Sequence, residues 1–260
     1  MSRSAHIVLA HPEPRSYNAH LAGLACETLA AQGWSVTVSD LYAMGFDPCE
    51  RAEHYEPRAR PARFDVQAEQ HHASTGGTIP GMVRDEIERL DRAELLLLQY
   101  PMWWHLPPAM LKGWMDRVFI YGEVYASQKR FEKGRFAGKR AMLSVTVATN
   151  ADTYSHDGRS GDIDLLLWPV QFSLAYVGYA VVAPFIAYGV EAGLRYSDPA
   201  TIETRLERVT ADFTQTVIDV DRRPVIPFNR MAQWQPSGRI AEDAPVYSPF
   251  IRHRRNLDLG

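Results

Sequence analysis

The chain has 260 residues, 46% of them hydrophobic and 23% charged, and carries a formal net charge of −3. That length suffices for a sizeable core, and a nearly neutral balance provides no global basic field for nucleic acid. Two cysteines, Cys26 and Cys49, are too few for a disulfide framework and point to a reducing cytoplasm. The opening MSRSAHIVLAHPEP reads neither as a signal peptide nor as a membrane span, and no run approaches about 20 uninterrupted apolar residues, so no transmembrane helix is expected.

In chain order, His6 to His11 (HIVLAH) reads as a short buried strand, closed by the turn PEPR. Ser16 then caps a helix that carries Tyr17, Leu21, Leu24, Thr28 and Leu29 at helical spacing and ends at Gly33. Trp34 to Asp40 alternates as a strand. Residues 41–80 show no strong period and read as an irregular excursion, too long for a plain connection. A helix follows over 81–92, with Met82, Ile87 and Leu90 as its apolar points. Glu94 to Tyr100, with its LLLL run, is the third strand. Pro108 starts the next helix at its first turn, with Met110, Leu111, Trp114, Met115 and Val118 as the buried stripe.

Arg140 to Thr146 is the fourth strand. The apolar helix 163–177 contains Pro169, where a kink is expected. Tyr179 to Ile186 is a fifth strand, and 201–217 is amphipathic through Ile202, Leu206, Val209, Phe213 and Val217. Strands alternating with helices imply a doubly wound, five-stranded parallel α/β sheet with helices on both faces. The expected division is one domain over 1–220 and an extended, proline-rich tail over 221–260 that packs on the domain or on a partner subunit.

Ligands of such sheets sit outside the carboxyl ends of the strands. Three loops are therefore in question: HPEPRSYN, QYPMWWHLPP and TVATNADTYSHDGRSGD. The first has neither GxGxxG nor GxxxxGK[ST], which argues against a dinucleotide fingerprint and a P-loop. It still ends at a helix N-terminus that favours an anion, with His11, Arg15, Ser16 and Asn18 as donors; equally, Ser16 reads as a cap and no more. The second puts flat rings among prolines that fix the backbone. That suits a planar ligand, and it also suits a hydrophobic interface or core corner, with Trp114 and Met115 simply packing. The third offers Tyr154 and His156 as proton-active groups, or reads as an ordinary surface loop. His71-His72, His54 and the cysteines show no metal-ligand spacing.

The run QYPMWWHLPPAMLKGWMDRVF resembles the signature of the NAD(P)H:quinone oxidoreductase (DT-diaphorase) family of flavodoxin-like flavoproteins. VLAHPEPRSYNAHL, GWSVTVSDLYAMGFDP and GDIDLLLWPVQ agree with other parts of that family in the same order, so the resemblance covers roughly residues 5–190. It implies a sheet of order 2-1-3-4-5, a bound flavin (FAD, with FMN possible), NAD(P)H as donor, a quinone-like acceptor, and a homodimer with sites at its interface.

Residue by residue, the resemblance places His11, Ser16, Tyr17 and Asn18 at the flavin phosphates, and Pro101, Met102, Trp103, Trp104 and His105 against the ring system. Thr146, Val147, Ala148 and Thr149 fall at its pyrimidine end, and Tyr154 beside the carbonyl that takes up charge on reduction. Tyr125, with Trp104 and His105, falls at the substrate pocket. The chain departs from the family pattern in four places. Ala148-Thr149 replaces Gly-Gly, Trp103 and His105 replace Gln and Phe, and the histidine partner of the tyrosine falls at Ser160, leaving His156 as a substitute only if the loop folds differently.

The implied activity is two-electron, ping-pong reduction of quinones or related acceptors in the cytoplasm. Two other readings stand beside it. One is an accessory flavoprotein subunit of a potassium-efflux transporter, contacting it through 50–80 or the cluster Arg252, His253, Arg254 and Arg255, which also reads as a solvated charge run. The other is a flavodoxin-like electron carrier.

Overall fold

The LLLLQYP strand, β3 (Leu95–Pro101), is buried at every position, as a strand flanked on both sides and covered on both faces must be. In the computed structural model, which describes residues 3–191 and 197–254, β3 lies at the centre of a parallel sheet. Its neighbours are β1 (Ser4–Leu9) and β4 (Arg140–Thr146), with β2 (Ser35–Asp40) outside β1. Beyond β4 come two short strands, β5 (Ala180–Val181) and β6 (Phe185–Ala187), both paired to β4. The order is 2-1-3-4-5, with β6 as a sixth strand.

The single long fifth strand expected over 179–186 is thus two pieces. Pro184 has no N–H for the ladder, and Ala183 turns away to donate to the Pro224 carbonyl at 2.8 Å. The chain after the last helix fills the gap: Ile226 N donates to Val181 O at 2.8 Å, and Arg223 donates to the carbonyls of Ala183 and Pro184.

Side chains alternate between two cores. Ala5, Ile7, Leu9, Leu95, Leu97 and Met142 face α1 (Tyr17–Ala31) and the final helix, α6 (Pro199–Ile218). Val8, Leu96, Leu98, Leu143 and Val145 face α3 (Gly81–Arg92), α4 (Ala109–Val118) and α5 (Ile163–Tyr176). Ser16 caps α1 as expected, its hydroxyl accepting from Ala19 N at 3.1 Å. Pro108 occupies the N-cap of α4 rather than its first turn. In α3 the buried stripe is Val83, Ile87 and Leu90, while Met82 faces solvent. Pro169 lies within one continuous helix, α5.

The excursion over 41–80 contains a helix that periodicity does not reveal, α2 (Val66–Gly76), capped by Asp65 and ended by Gly77 in the left-handed region. Its buried residues are Glu69, Gln70 and Ala73, so an apolar stripe is absent. Polar bonds hold it instead: Glu69 accepts from Arg58 and from the backbone of Ala59 and Arg60, and Gln70 Oε1 accepts from Tyr121 N. Residues after α6 pack on the domain through stacked pairs, Phe250 on Trp168 and Trp234 on Phe131. Arg255 of the basic cluster lies outside the described residues. Among the described residues, no helix is long and apolar enough to cross a membrane.

Candidate active site

The loops after β1, β3 and β4 meet at the carboxyl end of the sheet, at the switch point between β1 and β3. Backbone bonds fix their starts: Ala10 N donates to Gln99 O, Met102 N to Thr146 O, and Val147 N to Ala187 O, each at 2.9–3.0 Å.

In the first loop Glu13 N donates to His11 Nδ1 at 3.0 Å, and the imidazole meets the Trp103 ring edge-on at 5.9 Å. Glu13 takes both the backbone N–H and the guanidinium of Arg15, and these bonds hold its carboxyl below the usual range. Of the first N–H groups of α1, that of Ala19 is taken by the Ser16 hydroxyl, which leaves those of Tyr17 and Asn18 able to bind an anion. Two side chains expected at that anion are engaged elsewhere. Tyr17 bonds through its hydroxyl to Leu206 O and Thr210 Oγ1 of α6. Asn18 is buried, donating to Thr146 Oγ1 at 3.0 Å and accepting from Gln99 Nε2 at 2.9 Å. The Thr146 side chain is therefore also turned inward, away from any ligand.

In the second loop Trp103 and Leu106 exchange both backbone bonds, at 2.9 and 3.0 Å, around Trp104 (φ 52°) and His105 (φ 62°). Two positive φ values in a two-residue turn are the type I′ pattern, which ordinarily calls on Gly or Asn. Trp and His there are strained, so the turn presents chosen side chains at a cost of order 1 kcal/mol or more. Trp104 is 92% exposed, and Trp103 and Leu106 are also open.

In the third loop Tyr154 packs at 6.4 Å from Tyr188, with the Thr149 and Ser160 hydroxyls beside its own. Burial raises its pKa, and those hydroxyls partly offset the effect. Ser160, not His156, is therefore the neighbour of Tyr154. His156 stands 85% exposed, its nearest charged partner being Asp157 at 4.0 Å. Neither Ala148 nor Thr149 adopts a positive φ, so the backbone accepts these residues where the family pattern has glycines. A cavity of about 610 Å³ opens at this exit, lined by Ala148, Thr149, Tyr188, Arg159 and Arg205 among others. That volume suits part of a nucleotide cofactor.

Tyr125 lies apart from these loops. It lines a second cavity of about 590 Å³, with Gln67, Asp116, Phe119 and Tyr176, and its hydroxyl accepts from Gln67 at 3.3 Å. Sequence reasoning missed Gln99, Tyr188, Arg159 and Arg205. For Gln99 a signal existed, since a polar residue directly after LLLL inside a buried strand needs a partner.

The residues fit a flavin: a free helix N-terminus for phosphate, rigid aromatic faces, fixed backbone at the β4 exit and an adjoining cavity. Comparisons agree. A family model described as flavodoxin-like fold matches residues 3–212. A ribosyldihydronicotinamide dehydrogenase (quinone) of Pongo abelii is 38% identical over 187 residues, covering 71% of this chain and 81% of the relative. An NAD(P)H dehydrogenase (quinone) 1 of Cavia porcellus is 38% identical over 190 residues, covering 72% and 69%. A crystal structure from Klebsiella pneumoniae, described as a candidate quinone reductase, superposes with a TM-score of 0.83 at 31% identity, covering 92% of this chain and 94% of that one. The chain belongs to the NAD(P)H:quinone oxidoreductase family of flavodoxin-like fold.

Proposed function

We propose that the chain is a flavin-dependent NAD(P)H dehydrogenase that reduces quinones or related acceptors by two electrons, the nicotinamide and the acceptor using one slot in turn. The observation that carries this reading is the convergence of three backbone-fixed loops around the strained, exposed Trp103–Leu106 turn. The names of the similar proteins, both dehydrogenases acting on quinone, support it over the transporter-subunit and electron-carrier readings.

A bound flavin supplies the two-electron transfer. The chain's own part is positioning. The α1 N-terminus holds phosphate, and Trp103, Trp104 and His105 wall the ring and the acceptor slot. The backbone N–H groups of Ala148 and Thr149, after the Val147–Ala187 bond that fixes the strand end, would serve as donors, and Tyr154 would donate a hydrogen bond where negative charge grows. Raised by burial, the Tyr154 hydroxyl keeps its proton throughout the neutral range. In this reading the flavin is FAD, with FMN the alternative, and the cavity beside Thr149 and Arg205 has room for part of either. The open Trp104 and Leu106, with the cavity at Tyr125, support a homodimer with its sites at the interface. A cytoplasmic location accords with the cysteine usage.

The test is a visible absorption spectrum of the purified protein, then anaerobic NADPH and NADH. Flavin bands that bleach with either nucleotide and recover with a quinone support the proposal, and the released cofactor distinguishes FAD from FMN. A colourless protein that takes up neither flavin overturns it.

A further inference from the structure

The sheet face toward α1 and α6 is apolar along most of its length and turns polar at its carboxyl end. Ala5, Ile7, Leu9, Leu95, Leu97 and Met142 give way there to Gln99, Ser144 and Thr146, with Asn18 of α1 facing them. All four are buried, Gln99 and Ser144 completely. Polar groups at such depth are costly unless they bond.

The bonds are specific. Gln99 Nε2 donates to Asn18 Oδ1 at 2.9 Å, and Asn18 Nδ2 donates to Thr146 Oγ1 at 3.0 Å. The Gln99 carbonyl also accepts from Ala10 N at 3.0 Å. Gln99 thus touches the root of the first loop through its backbone and the first turn of α1 through its side chain. Through Asn18 it reaches Thr146, whose own carbonyl accepts from Met102 N in the second loop. Among the described residues, none of the hydrogen bonds of the Gln99, Asn18 and Thr146 side chains goes to an ionisable group.

Space-filling does not explain the arrangement, because an aliphatic residue of similar length would continue the apolar face without a desolvation cost. Gln99 Oε1 and Ser144 Oγ, on residues paired in the β3–β4 register, lack hydrogen-bond partners among the described residues. The network is therefore kept despite unpaired groups.

We infer that Gln99 is a positioning residue: its amide N–H holds Asn18 against Thr146 and so fixes the three cofactor-facing loops relative to one another. The inference rests on the reading of those loops as a flavin site. Gln99 itself touches no ligand.

The experiment compares wild type, Gln99→Met and Gln99→Glu for FAD and FMN affinity by fluorescence, for the visible circular dichroism of bound flavin, and for the melting temperature of the flavin-free protein. Gln99→Met keeps the length and removes the donor. It is expected to melt close to wild type yet bind flavin about tenfold more weakly, with altered dichroism. Gln99→Glu cannot donate while ionised but can when protonated, so its flavin affinity is expected to recover as pH is lowered from 8 to 5.5, with wild type flat. Affinity and dichroism of Gln99→Met equal to wild type overturn the inference, as does Gln99→Glu without recovery. If Gln99→Met fails to fold, the pH recovery of Gln99→Glu decides alone. A wild type that binds no flavin overturns the functional proposal instead.

Discussion

The indole Nε1 of Trp114 donates to Glu86 Oε2 at 2.8 Å, and both side chains are completely buried. A tryptophan that the motif presents as packing alone is therefore also a hydrogen-bond donor to a carboxylate in the core. Ser39 donates to the other oxygen at 2.7 Å, Arg89 pairs with the same oxygen, and His6 Nε2 stands 3.8 Å from Glu86 Oε2. One carboxylate thus joins β1, β2, α3 and α4.

Glu86→Ala is expected to destabilise the fold by about 3 kcal/mol, because it leaves buried donors unpaired. Desolvation pushes the Glu86 pKa up, but the adjacent His6 ring and the bonds from Ser39 and Trp114 outweigh it and hold the value below the ordinary 4.5. A depressed folded-state pKa means stability that is present above pH 4.5 and lost as pH falls through the folded value. The stability gap between wild type and Glu86→Gln should therefore narrow below that pH in urea titrations. A gap that stays constant down to pH 3.5 would refute this.

Tyr154→Phe is expected to bind flavin normally and to slow its reduction by NAD(P)H roughly ten- to a hundredfold, less than a fully enclosed donor would lose. The raised pKa keeps the hydroxyl protonated, so the wild-type rate should show no fall attributable to Tyr154 between pH 6 and 9. Anaerobic stopped-flow measures both. His156→Ala, in contrast, should leave the rate unchanged, since the imidazole stands in solvent.

His105→Gly separates stability from function at the type I′ turn. Glycine accepts the φ of 62° without strain, and a gain of about 0.5 kcal/mol is expected after the entropy cost of glycine. Loss of the imidazole from the slot wall should raise the acceptor KM several-fold. Steady-state kinetics beside thermal melts tests the trade, and unchanged KM would remove His105 from the slot.

Gly113 in the LKGW run sits against the Pro48 carbonyl and ring, where an added Cβ would overlap both. Gly113→Ala should cost about 1–3 kcal/mol as α4 and the segment at Pro48 move apart. Differential scanning calorimetry checks this, with the exposed Gly23→Ala, which meets nothing within 4 Å, as the control.

The sequence by itself determined the succession of the first four strands and of α1, α3, α4, α5 and α6, but not α2 or the break between β5 and β6. LLLL marks a central strand, Ser16 marks a cap, and periodic stripes mark α3, α4 and α6, because burial and capping are set by residues close in the chain. The convergence of three loops follows from that order and the handedness of parallel crossovers. Only the tertiary structure decided how the polar side chains are used. Asn18 and Thr146 read as ligand residues and are bonded to each other across 128 positions. Tyr17 reads as part of a phosphate loop and is tied to α6. Helix α2 has no stripe to read because distant partners, Arg58 and Tyr121, satisfy its buried Glu69 and Gln70. Hydrophobic burial leaves a local period in the sequence. A buried hydrogen bond does not, because its partner can come from anywhere in the chain.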